Sequence, residues 1–239
     1  VLAHRGFALE APENTLLAFA KALAIGVTHL ETDVHGSADG VAMISHDPDL
    51  SRLAGRKARV DHLTSHELRR VPLGDGQGYC SLADALDAFP EARFNIDVKA
   101  ATAIPGTIEA IRDLRATDRV LVGSFDATRR LAVVRELPGV ATSVSSRGGF
   151  AAVNAARVGS LRTLRRVLRG IHAVQLPLSM LRMSTLTPRT IRAFHDVGVE
   201  VHAWTVNDSD VMRRLLDDGV DGIVTDRADT ALEVVRSRG

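Results

Sequence analysis

Eight apolar strands alternating with amphipathic helices in a chain of 239 residues predict an α/β fold, a (β/α)8 barrel of the TIM type. Three observations carry that prediction. One local grammar recurs in ALAIGVTHLETDV, AFHDVGVEVHAWTV and LLDDGVDGIVTD, where an amphipathic stretch ends at glycine, valine follows and an apolar run begins. Glycine supplies the left-handed turn that closes a helix, and the β-branched run after it reads as a strand buried on both faces. The length suits one closed barrel, so residues 1–239 are expected to form a single domain.

In order, strands are expected near 1–5, 28–34, 93–98, 120–125, 140–145, 172–176, 199–205 and 222–225. Helical patterns such as SLADALDAF, TIEAIRDLRA and TLRRVLRG separate them, and Thr187-Pro188 and Asp208-Ser209 mark two helix starts. One connection departs from the alternation. After the second strand come Asp39-Gly40, a short second arm VAMISHD, and a polar, basic segment from Asp47 to Gly78. Connections this long are usually functional, so a hairpin and a substrate-facing excursion or lid are expected there.

The composition, 45% hydrophobic and 25% charged, belongs to a globular protein, and the net charge of +1 gives no overall attraction to nucleic acid or membrane. No nucleic-acid partner is expected. The stripes in LRTLRRVLRG and VMRRLLDD read as barrel-packing helices with solvated basic outer faces. No apolar run is long enough to span a bilayer, so no integral membrane segment is expected. The single cysteine, Cys80, suits a reducing compartment such as the cytoplasm, with a periplasmic or secreted location open if a leader preceded Val1. Nothing in the sequence signals an oligomeric state.

Side chains alternate along a strand, so Glu31, Asp33 and His35 share one face of the second strand, at the end of a barrel strand where chemistry is expected. Adjacent carboxylates repel and raise a pKa, whereas Mg²⁺ or Ca²⁺ would hold both ionised. A hairpin turn centred on Ala38-Asp39 or Asp39-Gly40 would set odd residues of one arm beside even residues of the other, placing His46 beside those acids. Asp97 and Lys99 share a face of the third strand, offering a further oxygen ligand and a fixed cation. His4 and Arg5 end the first strand, an imidazole for proton transfer and a guanidinium for a phosphate oxygen, with Gly6 expected to allow close backbone approach. His62 and His66 have zinc-like spacing, but Thr64 and Glu67 make a capping box. His202 shares a strand face with Trp204 and, like His35 beside the acids, is at most a supporting residue behind the pocket wall, while Glu13-Asn14-Thr15 is expected to cap a helix.

The ordered set HRG, PENT, LETDV, DG, HDPDL, IDVK, WTVN and GVDGIVTD, running from Val1 to about Asp226, resembles the glycerophosphodiester phosphodiesterase family. The resemblance implies hydrolysis of a small-molecule glycerophosphodiester to sn-glycerol 3-phosphate and an alcohol such as choline or ethanolamine, with a bound divalent cation. It implies that His4 and His46 are the acid/base pair and that Glu31, Asp33 and Asp97 hold the metal. Arg5 and Lys99 would bind substrate, and Trp204 would pack near the glycerol. Asp97 stands where the family has glutamate, one methylene longer, which leaves Mg²⁺ or Ca²⁺ undecided. YCSL at 79–82 replaces the family's proline-threonine. Two other readings use the same residues: a phospholipase D-like cleavage of lysolipids or sphingomyelin that leaves a cyclic phosphate, and a barrel that binds a phosphorylated ligand without turning it over.

Overall fold

The computed structural model describes residues 1–181 and 183–238. Eight parallel strands are present where the alternation places them: Leu2–His4, His29–Gly36, Arg93–Val98, Val120–Gly123, Ala141–Thr142, Ala173–Pro177, Glu200–Trp204 and Gly222–Thr225. Numbered one to eight, each pairs with its sequence neighbours, and the eighth returns to the first. The ring closes between the fifth and sixth strands through a single bridge, Ser143 to Ala173, flanked by hydrogen bonds from the His172 N–H to Thr142 O and the Val144 N–H to Ala173 O. The fold is a (β/α)8 barrel.

Alternation along the second strand positions the site. Leu30 and Val34 are fully buried and pack outward with Phe19, Leu86, Phe94 and Ile111, where Phe19 meets Phe94 edge-on at 6.0 Å. Their odd-numbered neighbours Glu31 and Asp33 therefore point to the barrel interior. A second cluster built on Val174, Leu176, Ile191, Phe194, Val201 and Leu215 does the same on the opposite side of the ring.

The excursion after the second strand is fixed by a small core of its own, Met43, Leu50, Val60, Leu68, Val71 and Tyr79. The expected capping box is formed, Thr64 Oγ1 accepting from the Glu67 N–H and the Glu67 carboxylate from the Thr64 N–H, and His62 stands in solvent. The expected hairpin register is not found. The arms pair Val34 with Ile44, His35 with Met43 and Gly36 with Ala42, even beside even and odd beside odd. The cause is a five-residue connection, closed by the Val41 N–H to Ser37 Oγ and by Asp39, which accepts from Ser37 and Ser65. Continued, this register would set His46 across from Thr32, on the face away from the acids. The second arm stops at Ile44, however, and Ser45 Oγ bonds the Asp47 carbonyl at 2.8 Å, so the bent chain carries His46 into the cleft.

Candidate active site

A cleft of about 350 Å³ opens at the C-terminal ends of the strands, and His4, Arg5, Glu31, Asp33, His46, Asp97, Lys99 and Trp204 all line it. Eight residues from the ends of four strands and one loop thus meet in one volume.

Asp33 is its centre. The side chain is 2% exposed, with Lys99 Nζ at 2.9 Å from one oxygen and Arg5 Nε at 3.5 Å from the other. Asn14 Nδ2 donates to Asp33 at 3.3 Å, and Thr32 Oγ1 donates to Asn14 Oδ1 at 2.8 Å, which fixes which way the amide faces. Thr15 caps the helix Leu16–Ala24 as expected, whereas Asn14 and Glu13 serve the cleft. Glu13 accepts from Arg5 at 2.9 Å and from both terminal nitrogens of Arg52. Burial pushes the Glu13 carboxyl up, but the Arg52 hydrogen bond and the charges of Arg5 and Arg52 outweigh it and hold the pKa below its ordinary value.

Arg5 has φ 58°, and its N–H reaches both the carbonyl and the carboxylate of Glu31, at 3.0 and 3.2 Å. The close backbone approach expected at Gly6 is made by the first helix: a Cβ there would lie 2.7 Å from Ala18, so the missing side chain lets that helix pack on the turn. His202 does not reach the cleft. It lies inside the barrel against Gly222, bonded to Gln175 and turned toward Glu200 at the opposite end of its strand, and is not among the cleft-lining residues.

Glu31 is buried at the cleft wall, and burial first, then Asp33 and Asp97, raise its pKa well above the ordinary carboxyl value. Burial likewise raises Asp97 against the pull of Lys99 at 2.7 Å, while Lys99, penalised by burial, is raised by the two aspartates it touches. The folded chain therefore binds protons at Glu31 and Asp97 that the unfolded chain has already lost, and stability falls as pH rises from the unfolded carboxyl range toward the folded values. Metal-chelated protein should lose denaturation midpoint relative to Glu31→Gln as pH rises above the ordinary carboxyl range of about 4, since the amide does not titrate. A difference between the two proteins that stays flat with pH would contradict this.

The two imidazoles share one arrangement. His4 Nδ1 meets Asp226 at 2.6 Å and His46 Nδ1 meets Asp47 at 2.7 Å. A carboxylate can only accept, so each Nδ1 carries a proton and each Nε2 is left for other work. For His4 that nitrogen lies 4.0 Å from Glu31. The His4 hydrogen bond holds the Asp226 carboxyl below its ordinary range, and Asn207 donates to its other oxygen at 2.7 Å. His35 donates from Nε2 to the His46 carbonyl at 3.3 Å and so braces that bend. Across the cleft, Trp204 packs edge-on against Phe125 with centroids 5.7 Å apart, and Lys99 Nζ lies 5.4 Å from the Phe125 ring centre. Asp226, Asp47, Asn14, Glu13, Arg52 and Phe125 were not expected at the site. Asp226 had a readable signal, a carboxylate directly after the eighth strand, and Asp47 follows the histidine of HD, whereas Arg52 lies in a segment without a motif.

Among the described residues no three histidine, cysteine or acidic side chains converge as a finished metal cage, since Lys99 spans Asp33 and Asp97. The donor set nonetheless suits a hard divalent cation. Three carboxylates crowd one buried volume, two with raised pKa, and Asp97 Oδ1 is buried with no hydrogen-bond partner.

The fold and a cleft of this composition define a barrel enzyme with its working groups at the C-terminal rim of the strands. The sequence profile of the glycerophosphoryl diester phosphodiesterase family matches residues 4–230, and the chain belongs to that family of phosphoric diester hydrolases. It is 43% identical over 240 residues to a Mycobacterium tuberculosis protein named "Probable glycerophosphodiester phosphodiesterase 2", covering 100% of this chain and 91% of the relative. A glycerophosphodiester phosphodiesterase of Caldanaerobacter subterraneus subsp. tengcongensis is 26% identical over 253 residues, covering 100% and 98%. The crystal structure of a glycerophosphodiester phosphodiesterase from Agrobacterium tumefaciens superposes with a TM-score of 0.80 at 25% identity, covering 98% of each chain.

Proposed function

We propose that this protein hydrolyses glycerophosphodiesters to sn-glycerol 3-phosphate and an alcohol, using His4 and His46 as its proton-transfer pair. One observation carries the reading: two imidazoles, each braced at Nδ1 by a carboxylate, line the same cleft as a carboxylate cluster threaded by Arg5 and Lys99. A phosphodiester bears one negative charge and resists attack. Arg5 and Lys99 offset charge that gathers on the non-bridging oxygens, and both are already held in place by buried acids, so little reorganisation accompanies the reaction. One Nε2 accepts the proton of the nucleophile as its oxygen bonds phosphorus; that nucleophile is water, or the substrate's adjacent hydroxyl with water then opening the cyclic phosphate. The other imidazole, protonated, gives its proton to the departing alkoxide as the P–O bond breaks. Trp204 and Phe125 supply an apolar wall for the carbon skeleton.

Glu31, Asp33 and Asp97 would hold a divalent cation, Mg²⁺ or Ca²⁺. When bound it supplies positive charge to the phosphate oxygens and keeps the three carboxylates ionised together. Residues 1–239 act in this reading as one catalytic barrel. Incubated with glycerophosphocholine and a divalent cation, the protein should release glycerol 3-phosphate and choline in equal amounts. Release of phosphocholine, or persistence of a cyclic phosphate in the phosphorus NMR spectrum, would overturn the reading.

A further inference from the structure

Charge along this chain is segregated although its total is near zero. No acidic residue stands between Glu136 and Asp196, and nine arginines do. Arg162, Arg165, Arg166 and Arg169 follow the i, i+3, i+4, i+7 spacing of one helix side, on and just after the helix Leu161–Val167. All four are exposed, while Leu164 and Leu168 on the other side are buried. Among the described residues no arginine of this stretch has a carboxylate within ion-pair distance, whereas eight arginines elsewhere each meet one.

Exposed apolar side chains adjoin these cations. Phe150 is 43% exposed, Val158 75%, Leu181 75% and Met183 44%. They lie along a connected edge. Arg157 donates to Met183 Sδ at 2.9 Å and to the Ser184 carbonyl, and Arg189 comes within 3.3 Å of the space beside Gly159. The same edge runs into the catalytic cleft, because Gly149 and Met180 line the cleft and their chain neighbours Phe150 and Leu181 face outward.

Unpaired arginines beside projecting aliphatic and aromatic side chains fit a surface that is anionic outside and apolar just beneath. A nucleic acid would engage the arginines but give Val158 and Leu181 nothing to enter. We propose that this face, formed by the helices Ser146–Arg157 and Leu161–Val167 and the segments 178–181 and 183–186, docks on an anionic phospholipid bilayer and brings the mouth of the cleft to the lipid surface. The attachment is peripheral: among the described residues no helix is long and apolar enough to cross a membrane.

Co-sedimentation of the whole chain with vesicles tests this. Vesicles of phosphatidylcholine with phosphatidylglycerol should retain the protein, vesicles of phosphatidylcholine alone should not, and retention should fall as salt rises from about 0.05 to 0.5 M. The combined variant Arg162→Ala, Arg165→Ala, Arg166→Ala, Arg169→Ala should bind the anionic vesicles about a hundred-fold more weakly or worse. Leu181→Ser should weaken binding by a smaller factor, and both variants should keep the thermal melt and the wild-type rate on soluble glycerophosphodiesters. Equal retention by both vesicle types, no retention by either, or undiminished binding of the four-alanine variant would overturn the proposal. Retention by duplex DNA at the same salt without vesicle binding would also overturn it and assign the face to a polyanion. The melt reports folding independently of turnover, so a failure of vesicle binding is separable from a failure of the hydrolytic reading.

Discussion

Replacing His46 with alanine should lower kcat by about 10²–10⁴-fold while leaving the melting temperature close to that of the parent, and His4→Ala should do the same. The stability half of this expectation follows from exposure. The His46 side chain is 35% exposed and lies on a bend, so its removal opens no cavity in the core. Asp47 keeps Arg52 as a partner, and Asp226 keeps Asn207 when His4 is removed. The kinetic half follows from the shared arrangement of the two rings. In the proposed reaction each transfers a proton, so the double variant should be scarcely slower than the worse single one, not slower by the product of both losses. A multiplicative loss would show that the histidines act independently, and an unchanged kcat for either would remove it from the mechanism.

Asp33→Ala should cost stability as well as activity. The carboxylate is buried between Lys99 and Arg5 and accepts from Asn14. Breaking a buried ion pair by removing one partner costs about 3–5 kcal/mol when the remaining charge is stranded. Here neither cation is stranded, since Lys99 keeps Asp97 and Arg5 keeps Glu13. Loss of Asp33 also relieves Glu31, whose pKa it helps to raise. The expected loss is therefore about 2–3 kcal/mol, a fall in melting temperature of roughly 5–10 °C for a domain of this size. A variant as stable as the parent, measured with chelator present, would mean that carboxylate repulsion already cancels the ion pairs.

Why some of this was legible in the sequence and some was not has physical reasons. The eight strands announce themselves because a barrel strand is apolar on both faces and the helix before it must end in a left-handed turn, a pattern written directly at Gly26-Val27, Gly198-Val199 and Gly219-Val220. Period-two alternation likewise brings Glu31 and Asp33 to one face, and Asp97 and Lys99 to another, without any tertiary information. Alternation gives a face but not a height along the barrel, which is why His202 turned toward the far end of its strand instead of the cleft. Hairpin register failed for a related reason. Ser37 and Asp39 widen the turn through side-chain bonds that residue propensities do not specify, and one residue of offset reverses parity. His46 lines the cleft through a bend in the chain and not through the register that alternation implied. Support from Glu13, Asn14 and Arg52 spans as many as 39 positions of sequence and could be seen only once the chain was folded.

In the proposed reaction, carboxylates from separate strands, held by Arg5 and Lys99, act with the paired histidines in a cation-assisted phosphodiester hydrolysis. Glycerol 3-phosphate release by EDTA-treated protein, followed as Mg²⁺ or Ca²⁺ is restored, tests it most directly. The account expects negligible release without cation, saturable recovery on addition, and a recovery displaced to at least about ten-fold higher cation concentration in Glu31→Gln. Full activity in EDTA, or identical titration curves for the two proteins, would contradict it.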